Sequence, residues 1–136
     1  MNKIDRYSYP CIITYNEDDK IFYVDFPDFD CCFTDGEDLE EALLNARDVL
    51  GLVLYEFEEK GLDIPEAAKG FIKTEKNQSI SFIDVWMPFV RDKIENKSVK
   101  KTLTIPKWLN DIAVERKVNF SQVLQNGLKD YLGINK

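Results

Sequence analysis

Residues 100–133 read KKTLTIPKWLNDIAVERKVNFSQVLQNGLKDYLG, and their apolar pattern predicts one short strand followed by two helices. In the strand, Leu103 and Ile105 alternate with polar residues and so share one face. Pro106 ends this strand, because proline cannot extend a ladder but suits the first turn of a helix. A unit of this size cannot bury its apolar side alone, and a lone strand leaves its backbone N–H and C=O groups unpaired. We therefore expect the segment to pair with a copy of itself.

The second helix of this segment is predicted to begin after Asn119 and to end at Gly133. The side chain of Asn119 is expected to cap the helix while Gln122 reaches back, as in a capping box. Apolar residues recur along the helix at helical spacing and predict a buried face. Together with the apolar face of the strand, this face predicts a dimer interface made of Leu103, Ile105, Val123, Leu124, Gly127, Leu128 and Tyr131.

This pattern resembles the ribbon-helix-helix family of bacterial DNA-binding proteins, in which paired strands enter the major groove as a two-stranded ribbon. The motifs that carry the resemblance are K-x-T-L-T-I-P for the ribbon and N-F-S-Q-V-L for the start of the second helix. The resemblance implies that the polar side of the ribbon faces base edges and that N–H groups at the helix start hold a phosphate. The DNA-binding residues that it implies are Lys100, Thr102, Thr104, Asn119, Phe120 and Ser121, with Lys117 as an exposed phosphate contact.

One position departs from the ribbon-helix-helix pattern, which usually has alanine where this chain has Gly127. Glycine inside a helix costs about 1 kcal/mol relative to alanine. We expect Gly127 to permit close helix packing at the dimer centre. The alternative to a DNA-binding dimer is that the strand and both helices pack on the preceding domain.

The charge of the chain is divided between its two ends. The 136 residues carry a net charge of −7, which taken alone argues against a nucleic-acid partner. Residues 98–136 hold seven Lys or Arg against three Asp or Glu, a net charge of +4, so residues 1–97 carry −11. Opposite signs imply two different partners. The basic part can gain affinity from phosphates by counterion release, and the acidic part would repel DNA.

Length and composition favour a small domain followed by a dimerising tail. Hydrophobic residues make up 44% of the chain, enough for a core in residues 1–87. No run approaches the roughly 18 apolar residues of a membrane span, and the start MNKIDRYSYP lacks the apolar core of a signal peptide. We expect a cytoplasmic protein with no membrane partner. Its three cysteines show no disulfide framework, and the absence of histidine argues against a zinc site, so no metal or other cofactor is expected.

The first part of the chain alternates apolar and polar residues. Residues 9–29, YPCIITYNEDDKIFYVDFPDF, predict two strands around a polar turn from Asn16 to Asp19. Residues 32–34 add a short third strand, and SISFIDVW at 79–86 predicts a fourth. We therefore expect four strands in this domain, each burying one side.

A long helix is predicted between the third and fourth strands. Asp38 caps it, an apolar stripe runs from Leu39 to Phe57, and Gly61 ends it. The order β-β-β-α-β predicts an α+β domain in which the helix lies across one face of a small mixed sheet. A loop is expected over residues 64–78, and PFVRDKIENK at 88–97 is predicted to be a linker.

These residues also resemble the HicB-type antitoxin domain, a truncated relative of the RNase H fold. The matching motifs are F-x-V-x-F-P-D in FYVDFPDF, C-F-T-x-G-x-x-L-E-E-A-L-x-N-A in CCFTDGEDLEEALLNA, and I-P-E in IPEA, and they cover most of residues 9–87. Asp30 and Cys31 replace the usual Pro-Gly, in the turn between the second and third strands. Asp38 replaces the usual Thr or Ser, which exchanges one helix cap for another.

The resemblance implies that this domain binds and silences a HicA-type toxin, a small RNase that cleaves messenger RNA using a histidine. A protein that holds RNA must be basic, and 22 acidic against 11 basic residues in 1–97 suit a domain that competes with RNA. The whole chain then resembles an antitoxin that neutralises its toxin through residues 1–87 and represses its own operon through the dimeric tail. The toxin contacts expected from position are Asp28, Asp30, Asp35, Glu37 and Glu40.

A nuclease is the enzymatic alternative, because RNase H relatives cut nucleic acid with clustered carboxylates and two metal ions. Asp25 could pair with Asp28, Asp84 or Glu40 in such a site. The alternation of Asp25 to an outward face and the negative charge of the domain argue against it, and we expect no enzymatic activity.

Two further alternatives concern the first domain. A regulator without a toxin would keep the DNA-binding tail and use the first domain to sense a small ligand. The adjacent Cys31 and Cys32 suggest a redox switch, although free cysteines usually behave as small buried hydrophobes. The sequence leaves open the operator and whether first domains pair dimers into tetramers.

Overall fold

A computed structural model describes residues 3–68 and 72–134 of the chain. Contacts divide the chain into two units, Met1–Lys97 and Ser98–Lys136. In the residues so described, the strands are β1 (Arg6–Asn16), β2 (Ile21–Asp25), β3 (Phe33–Gly36) and β4 (Gln78–Trp86), and the helices are α1 (Leu39–Lys60), α2 (Met87–Glu95), α3 (Lys107–Glu115) and α4 (Phe120–Leu132). Across these same ranges, no helix combines the length and the apolar character that crossing a membrane requires.

The four predicted strands form one sheet of order β3-β2-β1-β4, and each neighbouring pair in the described ranges is antiparallel. The predicted turn between β1 and β2 is confirmed. There, Asn16 Oδ1 accepts hydrogen bonds from the backbone N–H groups of Asp18 and Asp19, both at 3.0 Å. The expectation of a mixed sheet is wrong, because β4 runs antiparallel to β1.

The connection between α1 and β4 explains the direction of β4. If a strand followed α1 directly, α1 would have returned the chain to the end of the sheet where β3 starts, and that strand would run parallel to β3. Here the loop passes β1 near Tyr9, whose hydroxyl donates to the carbonyl of Pro65. It reaches Tyr15, whose N–H donates to the carbonyl of Asn77 at 3.2 Å. The chain has then travelled back along the sheet, so β4 begins opposite Thr14 and runs the other way.

The core of the first unit lies between α1 and one face of the sheet. Alternate residues of each strand point toward α1, as the strand period requires. The predicted apolar stripe of α1 supplies the other side, although Leu39 at its start is 46% exposed. The buried core residues are Tyr9, Cys11, Ile13, Val24, Phe26, Phe29, Cys32, Ala42, Ala46, Leu50, Val53, Leu54, Ile83, Val85 and Met87.

The predicted ends of α1 are confirmed. Asp38 Oδ1 accepts the N–H of Glu41 at 2.7 Å, which satisfies one unpaired donor of the first turn. Gly61 follows the helix with φ of 65°, the left-handed conformation that favours glycine. Its N–H donates to the carbonyl of Glu58 at 3.3 Å.

The predicted linker over residues 88–97 is wrong, because most of it belongs to α2. Met87 is fully buried at the start of this helix, and Val90 packs against the core. Pro88 lies in the first turn, a position that suits proline. The many charged residues suggested a solvated linker, but the apolar positions at helical spacing outweigh them.

Arg91 fastens α2 to α1 and to the chain before β1. Its guanidinium donates to the Glu58 carboxylate from Nε at 3.0 Å and from Nη2 at 2.7 Å. Nη2 also donates to the carbonyl of Ile4 at 2.7 Å. The side chains of Arg91 and Glu58 are 14% and 7% exposed. The hydrogen bonds to Glu58 raise the pKa of Arg91, so its guanidinium stays protonated in this two-point contact.

Two glycines set how closely other elements approach α1. A Cβ on Gly36 would lie 2.3 Å from the backbone nitrogen of Ala42, because the first turn of α1 passes over the end of β3. A Cβ on Gly51 would lie 3.1 Å from Cγ2 of Val90, a side chain that is able to shift. Backbone cannot yield in the same way, so the close approach at Gly36 requires glycine.

We predict that Gly36→Ala lowers the free energy of unfolding by roughly 1–3 kcal/mol or more, because the backbone of β3 or α1 must move. Gly51→Ala is the matched control. Its contact is softer and alanine favours the helix by about 1 kcal/mol, so the two effects oppose each other. Urea unfolding followed by circular dichroism compares the two variants. Equal stability of Gly36→Ala and the unsubstituted protein would contradict the steric argument.

Candidate functional site

The sheet face that points away from α1 carries the residues that alternate with the core. We call this surface the open face. Its side chains are Arg6, Ser8, Pro10, Ile12 and Thr14 of β1, Ile21, Tyr23 and Asp25 of β2, Phe33 and Asp35 of β3, and Ile80, Phe82, Asp84 and Trp86 of β4. Three of its aromatic residues are strongly exposed: Phe33 by 67%, Phe82 by 66% and Trp86 by 54%. The open face is therefore an apolar surface on a unit that already has a core.

The five carboxylates predicted to contact a toxin do not form one cluster. Asp28 and Asp30 lie in the loop between β2 and β3, whereas Asp35, Glu37 and Glu40 lie from β3 to the start of α1. The ring of Phe29, between the first two, packs 5.7 Å from the ring of Phe57 near the end of α1. Leu39 and Phe57 are separated by about 27 Å along the helix axis. The two groups of carboxylates thus lie near opposite ends of α1.

The local contacts of these carboxylates differ. Asp28 is half-buried, and its Oδ2 accepts the backbone N–H of Ala68 at 3.2 Å. Glu40 lies in the first turn of α1, where the helix dipole favours a negative charge. Asp35 is on the open face, and its carbonyl accepts Nδ2 of Asn45 at 2.9 Å. Asp28 therefore holds the loop after α1, while the exposed carboxylates of the other four residues are available to a partner.

The carboxylates that a nuclease would need are also apart. Asp25 and Asp84 share the open face, but they lie on β2 and β4 with β1 between them. Asp28 is in a loop, and Glu40 is on α1, which covers the opposite face of the sheet. In the part of the chain that the structure describes, no three His, Cys, Asp or Glu side chains are grouped so that they could hold a metal ion.

The three cysteines are free thiols in different environments. Cys11 and Cys32 are buried in the core, and Cys31 is exposed. Burial raises the pKa of Cys11, and burial with the nearby Cys31 and Asp25 raises the pKa of Cys32 to about 12. A protonated buried thiol is a poor nucleophile. Cys11 and Cys32 thus serve as core side chains, and the accessible thiol of the pair is Cys31.

A cleft of about 450 Å³ lies between the start of β1 and the loop after α1. Tyr7 and Tyr9 line one side, and residues 64–68 line the other. The Tyr9 hydroxyl is engaged by the Pro65 carbonyl. Burial is the main cause that raises the pKa of Tyr9 to about 12, so this phenol stays protonated as a donor. This cleft is large enough to admit a small molecule.

Over residues 98–134, the second unit shows no buried core within the single chain. Neither α3 nor α4 contains a buried residue. The large apolar residues of the predicted dimer interface range in exposure from 36% for Leu124 to 88% for Tyr131. A Cβ on Gly127 would find no atom within 4 Å. The helices form from local sequence, and their apolar side is left uncovered.

The predicted ribbon strand lies within residues 97–106, which form neither a helix nor a hydrogen-bonded strand in the structure. A strand requires a neighbour for its backbone hydrogen bonds, so pairing with a second copy stays a prediction. Pro106 immediately precedes α3, as the sequence indicates. The side chains of Lys100, Thr102 and Thr104 are exposed.

The other predicted DNA contacts lie at the turn between α3 and α4. Asn119 caps α4, and its Oδ1 accepts the N–H of Gln122 at 3.0 Å. The predicted return contact of Gln122 is wrong, because its Nε2 donates to Asn126 Oδ1 at 2.9 Å, one turn further along. Lys117 precedes the cap with φ of 56°, and Phe120 and Ser121 follow it; all three are exposed. Lys136, part of the basic charge, lies outside the described residues.

The open face was not predicted from the sequence, although the alternation of residues along the strands indicates it. Alternation that places Val24 and Val85 in the core places the residues next to them on the other side. The predicted toxin contacts were all carboxylates, and the aromatic residues Phe33, Phe82 and Trp86 were not among them. A search for apolar residues on both sides of a strand would have found this surface.

Comparisons with known proteins point to one family. The family model described as HicB_like antitoxin of bacterial toxin-antitoxin system matches residues 9–125. Among curated proteins, no sequence matches. A solved structure described as a toxin-antitoxin complex from Streptococcus pneumoniae contains a chain that is 28% identical. That match covers 93% of this chain and 99% of the other, with a TM-score of 0.55.

Two further solved structures share the fold. The Burkholderia pseudomallei antitoxin HicB is 16% identical, with 93% of this chain and 98% of that chain covered and a TM-score of 0.51. The antitoxin HicB3 is 22% identical, with 92% of this chain and 97% of that chain covered and a TM-score of 0.50. At these identities the likeness concerns the fold alone.

Proposed function

The chain belongs to the HicB-like antitoxin family of bacterial toxin-antitoxin systems, and from this premise we propose that it neutralises a HicA-type toxin by direct binding and represses its own operon. The observation that carries the proposal is the family match over residues 9–125, which runs through both units. The protein acts by binding and carries out no chemistry of its own.

The first unit is the toxin-binding part in this proposal, a partial RNase H-like domain. Its net charge of −11 favours a small basic RNase and speeds encounter with it. The candidate contacts Asp28, Asp30, Asp35, Glu37 and Glu40 fall into two groups, so a single small toxin would engage one group. Asp35, Glu37 and Glu40 form the more accessible group, because Asp28 is held by Ala68.

The second unit is the DNA-binding part, a ribbon-helix-helix dimer. Two copies would cover the apolar sides of α3 and α4, which the single chain leaves exposed. They would also pair residues 100–105 as a two-stranded ribbon, with Lys100, Thr102 and Thr104 toward the major groove. Backbone N–H groups at Asn119, Phe120 and Ser121 would hold a phosphate.

A second candidate function is a ribbon-helix-helix regulator whose first unit senses a small ligand. The observation that favours it is the cleft of about 450 Å³ beside β1. Copurification separates the two functions. A small basic RNase bound to the protein isolated from its own cells supports the antitoxin, and a bound metabolite supports the ligand sensor.

We predict that a chain truncated after Lys97 still prevents growth arrest by the toxin while losing operator binding. The truncation keeps α2, because α2 completes the core of the first unit. Co-expression with the toxin measures growth, and circular dichroism verifies folding. A soluble, folded truncated chain that fails to rescue growth would show that the two functions are not separable.

We predict that Gly127→Ala weakens the dimer by roughly 1–3 kcal/mol, the scale of overpacking at a close helix contact. Within one chain the added methyl group meets nothing within 4 Å, and alanine favours the helix by about 1 kcal/mol. A weaker dimer would therefore show that the added methyl group meets the other chain of the dimer. Sedimentation equilibrium measures dissociation, and a tighter or unchanged dimer would place Gly127 away from the interface.

We predict that Thr104→Ala weakens operator binding by roughly 1–3 kcal/mol, the scale of a lost base contact, and leaves non-specific DNA binding nearly unchanged. Lys117→Ala is the contrasting variant. It should weaken both and lower the salt slope by about one unit if Lys117 contacts one phosphate. Binding isotherms on operator and scrambled DNA across a salt series test both. If Thr104→Ala and Lys100→Ala leave operator affinity unchanged in a folded dimer, the ribbon does not read the DNA.

A further inference from the structure

We infer that the toxin docks on the open face of the sheet, with Phe33 and Phe82 as apolar anchors and Asp25 as the acceptor for a toxin lysine or arginine. The inference rests on the proposed antitoxin function and adds the surface. It differs from the contacts expected from sequence, because of those only Asp35 lies on this face.

An apolar band crosses the open face. Phe33 lies opposite Asp25 on β2, and Asp25 lies opposite Ile12 on β1. Ile12 in turn lies opposite Ile80 on β4, next to the pair formed by Pro10 and Phe82. Directly opposite residues have their Cβ atoms about 4.5–5.5 Å apart. The band is therefore continuous across all four strands, with one carboxylate inside it.

Within this band Pro10 is fully buried and Ile12 and Ile80 are half-buried, whereas Phe33 and Phe82 on the two edge strands are strongly exposed. The exposure of these two aromatic rings needs an explanation that the exposed leucines of α1 do not need.

Leu44 and Leu52 on the solvent side of α1 are 53% and 54% exposed, but each stands alone among charged residues one turn away: Leu44 beside Glu40 and Asp48, and Leu52 beside Asp48 and Glu56. Scattered exposed leucines are normal on soluble proteins. A contiguous apolar surface with aromatic residues is instead typical of a protein-protein interface.

The charges on the open face indicate which kind of partner binds there. Asp25, Asp35 and Asp84 lie on it, against the single guanidinium of Arg6. Among the described residues, none of these three carboxylates accepts a hydrogen bond or pairs with a cation. A second copy of the same face would bring like charges together, and DNA would be repelled. A small basic protein with an apolar protrusion fits both the band and its unpaired carboxylate.

Full-length variants test the inference against the HicA-type toxin of the proposed function, the small basic RNase that we expect the neighbouring gene to encode, purified with its catalytic histidine replaced by alanine. Phe82→Ser and Asp25→Lys should each weaken binding roughly tenfold or more, the scale of interface anchors. The matched controls on α1 are Leu52→Ser and Asp48→Lys, which should stay within about twofold of the unsubstituted protein. Isothermal titration calorimetry measures the affinities.

Thermal unfolding and operator binding establish that each variant is folded, and Phe33→Ser replaces Phe82→Ser if that variant is not. Folded open-face variants that bind like the unsubstituted protein would overturn the inference while leaving the antitoxin function intact. An unsubstituted protein that does not bind the neighbour-encoded protein would overturn both. If Phe82→Ser changes the oligomeric state of the free protein and not toxin affinity, the open face joins copies of this chain and the inference is wrong.

Discussion

The packing of α1 on one face of the antiparallel sheet is the contact on which the first unit depends. Because side chains alternate along a strand, filling one face with core residues commits their neighbours to the other face. The same register that buries Val24 and Val85 therefore exposes Phe33 and Phe82. Gly36 permits this packing where α1 crosses β3, and Arg91 extends it to α2 through Glu58. The open face is thus a direct consequence of how the core is built.

The second unit shows what local sequence achieves without a core. Caps and helical spacing are sufficient to define α4, which begins after Asn119 and ends at Gly133. Short helices gain most of their stability from burying an apolar face, and here no such face is buried in the single chain. The two units therefore have opposite requirements. The first is completed by its own helix, and the second leaves the apolar side of α3 and α4 uncovered.

Sequence reasoning succeeded where the determining interactions are local. The turn at Asn16 and both ends of α1 follow from residues a few positions apart, and these predictions are confirmed. It failed where contacts between residues far apart in the sequence determine the structure. The direction of β4 depends on the path of a long loop, and the place of α2 depends on contacts with distant residues, namely the core that Met87 and Val90 join and the pairing of Arg91 with Glu58. The separation of the carboxylates near Asp28 and Glu37 depends on the packing of Phe29 against Phe57 near the far end of α1, a contact between distant residues that no local pattern reports.

The division of charge gives the two proposed activities a common physical basis. A uniformly acidic chain would attract a basic toxin but repel DNA, because these two partners carry opposite charges. Here the acidic residues are concentrated before Lys97 and the basic excess lies after it. In the proposed function the first unit would repel DNA and the tail would repel a basic toxin, so each partner would be directed away from the wrong unit as well as toward the right one. Specificity in such a protein arises from repulsion as much as from contact.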